Sequence, residues 1–201
     1  MVISRLKKVL TGQNEAMNRR DLVKAVGYIE NYWSKLERHH NEDDGTLVGL
    51  PYPYIVPASD PKAAFQFEEQ YYWDSYFTAL GLTDKKYQVL VEGMLENLLF
   101  MFRRFGLVPN ASRMYFTGRS QPPVLTSFIF HVYDTYGKSD QWLEQKIAVA
   151  RDEYETVWMN QAHPKWHNVH KGLSRYYDIN VLHDLAEAES GWDMTPRFER
   201  K

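Results

Sequence analysis

The sequence predicts an all-α fold. Apolar residues recur at helical spacing in five successive stretches, strand-like alternation is nearly absent, and several of the connections are long and irregular. Leu22, Val26, Ile29, Trp33 and Leu36 fall three or four apart and stripe one helix face, with Asn18 and Asp21 placed to cap its start. That pattern stops in Asn41–Gly45, and Leu50–Pro57 carries too many prolines to be helical. Helical character resumes from about Trp73 to Leu82. After Thr83 and Asp84 it returns from about Lys86 to Phe105, where Val89, Leu90, Gly93, Leu95, Leu98, Met101 and Phe102 make a broad apolar face. Two further helices are expected, from about Val124 to Tyr136 and from Ser139 or Asp140 to about Asn160, the last with Trp142, Ile147, Val149 and Tyr154 among its apolar positions. Such a succession fits a bundle, a helical solenoid or an α/α toroid, and no internal period is visible.

Composition bounds the function. A chain of 201 residues with 44% hydrophobic and 25% charged residues can bury a substantial core, and a net charge of -2 offers no basic stripe for nucleic acid. Zero cysteines rules out a disulfide framework and thiolate metal sites, and fits a reducing, cytoplasmic setting. The opening ten residues are too short and too charged for a signal-peptide core, and no apolar run approaches membrane-spanning length. Residues 1–17 are expected to form a flexible N-terminal segment. His163, His167 and His170 would align on a helix, but Pro164 interrupts them and no HExxH accompanies them, so no metal is assigned. No P-loop, dinucleotide glycine run or G-x-S-x-G elbow occurs, and no cofactor is implied. The unusual figure is 15% aromatic: most of these rings are expected in the core, and the remainder can floor a sugar site.

Function is expected in the loops, since long irregular connections in a compact domain usually carry it. The first, Phe65 to Asp74, ends in Tyr72-Trp73-Asp74. Sugar recognition needs a flat apolar face for the CH side of a pyranose and hydrogen-bonders for its hydroxyls, and Trp73 beside Asp74 offers both; an aromatic core with Asp74 as a helix cap reads the same residues differently. The second, Leu107 to Pro123, holds Asn110, Arg119, Ser120 and Gln121 between prolines and glycine, a set suited to gripping a polyol or to satisfying backbone carbonyls. The third, Lys171 to Phe198, carries Asp178, Glu187, Glu189 and Asp193, and a carboxyl next to Trp192 would have its charged form disfavoured by desolvation.

Together these loops resemble the trehalases, inverting glycoside hydrolases with an (α/α)6 toroid. Phe67-Glu-Glu-Gln-Tyr-Tyr-Trp-Asp-Ser-Tyr-Phe77 is similar to the family's first signature, Pro109-Asn110 with Arg119-Ser-Gln-Pro-Pro123 to its second substrate loop, and Glu189-Ser-Gly-Trp-Asp193 to the segment bearing its catalytic acid. The resemblance implies that Asp193 is the general acid and that Phe67, Trp73, Asp74, Asn110, Arg119, Ser120, Gln121 and Gly191 line glucose subsites. Two departures bear on the substrate. Where trehalases place Pro-Gly-Gly-Arg, this chain has Ala63-Ala-Phe-Gln66, which puts the neutral amide of Gln66 where a charged clamp is expected. The family's Arg-Pro-Glu segment is also missing between Arg175 and Ala188, leaving Arg175 as a stand-in and another α-glucoside open as substrate.

Inversion needs a second carboxylate about 6.5 to 9.5 Å from the acid, and the family supplies it far downstream of the Gly-Trp-Asp segment. Twelve helices of about 11 to 12 residues also exceed this length. The chain is therefore read as a single incomplete domain, residues 1–201, roughly the N-terminal half of a toroid and inactive alone. Its expected partners are a small sugar and a complementary half or a second copy covering exposed core. The rival from another class is a non-catalytic sugar-binding or interaction half-toroid.

Overall fold

The structure is a computed structural model that describes residues 19–60, 62, 66–159, 169–170 and 173–174. Five α-helices account for most of them: α1 Arg19–Leu36, α2 Tyr72–Gly81, α3 Gln88–Phe105, α4 Leu125–Tyr136 and α5 Asp140–Glu153. The strands among the described residues are two-residue pairs, β1 Glu37–Arg38 against β2 Tyr54–Ile55 and β3 Val169–His170 against β4 Leu173–Ser174. The all-α expectation holds.

Helix α3 is the hub. Its Val91, Gly93, Met94, Leu95, Asn97, Leu98, Leu99 and Met101 are all buried, and α2, α4 and β2 pack around it, with α5 against α4. A glycine in the left-handed conformation ends both α3 and α4, Gly106 at φ 78° and Gly137 at φ 63°. Two residues beyond Gly137 the Ser139 hydroxyl accepts the Trp142 N–H at 3.2 Å, capping α5 at the start expected from the sequence. A single turn of 3-10 helix, Lys85–Tyr87, precedes α3, and the Asp84 carboxylate caps it at Lys86 N–H, 2.9 Å.

Two apolar positions are corrected. Val89, read as part of the α3 core face, is 82% exposed, because at about 100° per residue the buried face, centred on Val91, Met94, Leu95 and Leu98, lies on the opposite side of the helix. Ile29, read into the α1 stripe, is 50% exposed; of that stripe only Leu36 is buried outright, while Trp33 packs partly on the core. α1 therefore leans on the domain through its C-terminal end. The last helix also ends earlier than its periodicity suggests: α5 stops at Glu153 and the chain passes into a π-turn, Tyr154–Trp158.

Buried polar groups lock the centre. Asn97 exchanges two bonds with the Tyr52 backbone, accepting its N–H at 3.0 Å and donating to its carbonyl at 2.8 Å. It also donates to Gln70 Oε1 at 2.9 Å, and Gln70 Nε2 donates to Met94 O at 2.8 Å and Ser75 Oγ at 3.1 Å. Both amides are fully buried and fully engaged, which a low-dielectric interior demands.

Candidate functional site

The site grows from an unusual helix start. Residue Tyr71 precedes α2 and has no side chain able to cap it, so the first N–H groups of the helix need partners from elsewhere. The Leu107–Pro123 loop supplies them. Asn110 O accepts the Tyr72 N–H at 3.2 Å and Gln121 Oε1 accepts the Trp73 N–H at 2.9 Å. The loop is itself closed at its neck, where Asn110 N–H donates to Arg119 O at 2.8 Å, and it is pinned to the first signature by Ser112 N–H to Gln70 O at 3.0 Å and Gln70 N–H to Ser112 Oγ at 2.8 Å.

This capping brings Trp73, Asp74, Asn110 and Gln121 together. Asp74 lies within the first turn of α2 rather than at the cap position, so the reading of it as a helix cap is corrected: Tyr71 occupies that place. Burial pushes the Asp74 carboxyl up, opposed by its own backbone N–H, the Gln121 amide and the Trp73 indole. Gln121 thus serves both neighbours, accepting from Trp73 and donating to Asp74. Ser120 is buried and donates to the Gln121 carbonyl at 3.0 Å, which orients the loop.

Asn110 is the distinctive member. It is 1% exposed, and its side-chain oxygen has no hydrogen-bond partner among the described residues although its backbone is bonded on both sides. An orphaned buried acceptor costs about 1 to 3 kcal/mol unless a ligand or water completes it.

Aromatic rings continue from the helix start. Trp73 and Phe77 lie 6.1 Å apart between centroids, Phe67 meets Tyr71 edge-on at 5.8 Å, and Tyr71 reaches Phe116 at 6.0 Å. The Gln66 amide donates to Asp60 O and accepts from Ser59 Oγ at 3.5 Å. Arg119 contributes its carbonyl to the loop neck, and the residue is half-buried. Asp193, Gly191 and Arg175 lie outside the described residues, as do Asp178, Glu187, Glu189, Ala63–Phe65, His163, His167, Asn18 and the expected N-terminal segment. No group of three or more metal-ligating side chains occurs among the described residues.

Residues the sequence reading passed over do much of the positioning. Glu69, 1% exposed, pairs with Arg113, whose guanidinium also reaches Thr46 Oγ1 at 2.8 Å. Glu68 takes Arg38 at 3.0 Å and His40 at 3.1 Å. Adjacent glutamates inside an aromatic signature were the available signal, since such charges are seldom buried unless paired.

Residues 4–192 match the trehalase family. The chain belongs to that family. A periplasmic trehalase of Xanthomonas oryzae pv. oryzae is 32% identical over 85% of this chain and 35% of its own length. A periplasmic trehalase of Pseudomonas aeruginosa is 30% identical over 86% of this chain and 37% of its own. Among solved structures, the neutral trehalase of Saccharomyces cerevisiae is 34% identical with a TM-score of 0.54, covering 63% of this chain and 22% of that one. This trehalase-family chain therefore spans little more than a third of the two bacterial relatives. Both are named periplasmic, so membership does not carry the cytoplasmic expectation. No described helix is long and apolar enough to cross a membrane.

Proposed function

We propose that the chain supplies the sugar-gripping loops and the general acid of an inverting α-glucoside hydrolase, with trehalose as first substrate. The observation that carries this is the Asn110 side-chain oxygen, buried and without a hydrogen-bond partner among the described residues, in the loop whose Asn110 carbonyl and Gln121 amide cap the turn bearing Trp73 and Asp74. A buried acceptor of this kind is satisfied by a hydroxyl donor, which a sugar supplies. Gln121 and Asp74 add further polar groups, and the Trp73 ring an apolar face, as a pyranose requires.

In this reading the Asp193 carboxyl donates its proton to the glycosidic oxygen as the bond from that oxygen to the anomeric carbon breaks. Water attacks the anomeric carbon from the opposite face and passes its proton to a second carboxylate, releasing two glucose molecules with one centre inverted. In this reading Trp192, next to Asp193 in sequence, disfavours the charged form of the acid by desolvation. The second carboxylate is expected from the part of the family's length that this chain does not cover, and a complementary segment would also cover exposed apolar surface such as Tyr28 and Ile29.

The test is glucose release from trehalose by the protein carrying the family's full length, with Asp193→Asn beside it. A loss of about a hundredfold or more in kcat with the fold intact is expected; undiminished turnover removes the acid assignment. Calorimetric titration of this chain with trehalose, with Asn110→Ala as control, tests the loops separately from the chemistry.

A further inference from the structure

A carboxylate buried behind the site has no part in the reading above. Glu153, the last residue of α5, is 3% exposed and accepts the Tyr72 hydroxyl at 3.1 Å and 3.3 Å through its two oxygens. The same hydroxyl accepts the Leu125 N–H at 2.9 Å, so its own hydrogen is directed to Glu153. One phenol thus joins the end of α5, the first residue of α4 and the first residue of α2. Its backbone N–H meanwhile bonds Asn110 O at 3.2 Å, and the next residue is Trp73.

Immediately after Glu153 the chain makes the π-turn Tyr154–Trp158, and Val157 and Trp158 pack on Leu107, where the substrate loop begins. Single π-turns inside or at the end of α-helices recur at functional sites. A group serving only the core would be less costly as an apolar one, because burial disfavours an isolated carboxylate. Here burial raises the Glu153 carboxyl to about 7, against the Tyr72 hydroxyl and the Trp158 indole, which hydrogen-bond to it and lower it. Those two groups, one from α2 and one from the π-turn, are what act on the carboxylate, and neither is charged at neutral pH.

We propose that Glu153 is a positioning residue of the site, fixing the Trp73–Asp74 turn against the Asn110–Gln121 loop through the Tyr72 hydroxyl. That the ligand so positioned is a sugar rests on the function proposed above; the coupling of Glu153 to the loop does not. An ionised Glu153 holds the hydroxyl by a charge-assisted bond, stronger than the bond to the neutral acid, so proton occupancy changes how firmly the turn is held.

The test uses the whole chain, as wild type, Glu153→Gln and Asp74→Asn. Backbone amide resonances of Trp73 and Asn110 are followed from about pH 5 to about pH 9, and trehalose Kd is measured by calorimetry at both sides of neutrality. Expected is an amide shift with a midpoint near 7 in wild type, retained in Asp74→Asn and lost in Glu153→Gln. The trehalose Kd is expected to change by about threefold or more across that midpoint in wild type and to stay level in Glu153→Gln. Amides that do not titrate near neutrality, or that titrate equally in Glu153→Gln, overturn the proposal. If Glu153→Gln does not fold, Tyr72→Phe must abolish the same shift, and its persistence there is equally fatal. A wild type that binds no trehalose defeats the sugar reading, while the amide shifts still decide the role of Glu153.

Discussion

Gln121 Oε1 accepts the backbone N–H of Trp73 at 2.9 Å, so a side chain at the far end of the substrate loop caps the helix that carries the aromatic and acidic site residues. Helix start and loop are one structural unit, and a change in either is felt in the other. A ligand held by both would gain from a frame already rigid before it arrives.

Removing that cap is the direct check. Gln121→Ala is expected to cost about 1 to 2 kcal/mol, the usual worth of an N-cap, because Trp73 loses its acceptor and Asp74 a donor. Urea unfolding measures it, and calorimetry should show trehalose binding weakened along with stability. A variant as stable as wild type would mean that water replaces the amide without loss.

The Gln70 and Asn97 amides form the centre of the buried polar network. Asn97→Leu keeps the branching and heavy-atom count but strands the Tyr52 N–H and Gln70 Oε1, which bond to it at 3.0 and 2.9 Å, and should destabilise by about 2 to 4 kcal/mol. The doubly apolar Gln70→Leu with Asn97→Leu should recover part of the coupling between the two sites, a double-mutant cycle reading the direct bond.

Two glycines predict opposite signs. Gly27 sits inside α1 with nothing within 4 Å of an added Cβ, so Gly27→Ala should stabilise by about 0.5 to 1 kcal/mol through helix propensity. Gly49 would set a Cβ 2.5 Å from the Glu42 backbone, and its N–H donates to Asp43 Oδ1 at 2.8 Å. Gly49→Ala must move that loop, and a Tm below wild type by several degrees is expected, at about 2 to 4 °C per kcal/mol lost in a chain of 201 residues.

The same loop predicts a pH dependence. The Arg104 guanidinium beside Asp43, with the Gly49 N–H second, holds its carboxyl down to about 2. A depressed folded value contributes stability above the unfolded carboxylate range and loses it as pH falls, here from about 4 to about 2. Asp43 is 47% exposed and Arg104 32%, so solvent screening limits the pair. Asp43→Asn should cost about 1 kcal/mol or less at neutral pH, and its unfolding free energy should converge with wild type across that acid window.

Trp73, Asp74, Asn110 and Gln121 were legible as separate sugar-binding candidates because their residue types, an aromatic face with planar or hydroxyl hydrogen-bonders, state their chemistry without a fold. What their order along the chain did not disclose is that Asn110 and Gln121 cap the helix bearing the other two, since Tyr71 at the cap position offers no local hint that a distant amide is needed. Nor did it disclose that the Gln66 amide bonds Ser59 and Asp60.

By itself the sequence determined the helical class, the positions of most helix ends and the family, because periodicity, capping residues and glycine stops are local and signature motifs are linear. Tertiary structure decided which apolar residues face inward, as Val89 and Ile29 demonstrate, since a helix stripe is buried only where a neighbour covers it. It also decided that Glu153 meets Tyr72 across 81 residues of chain. Such a contact depends on how α5 packs against α4 and α4 against α2, and no local pattern encodes that packing.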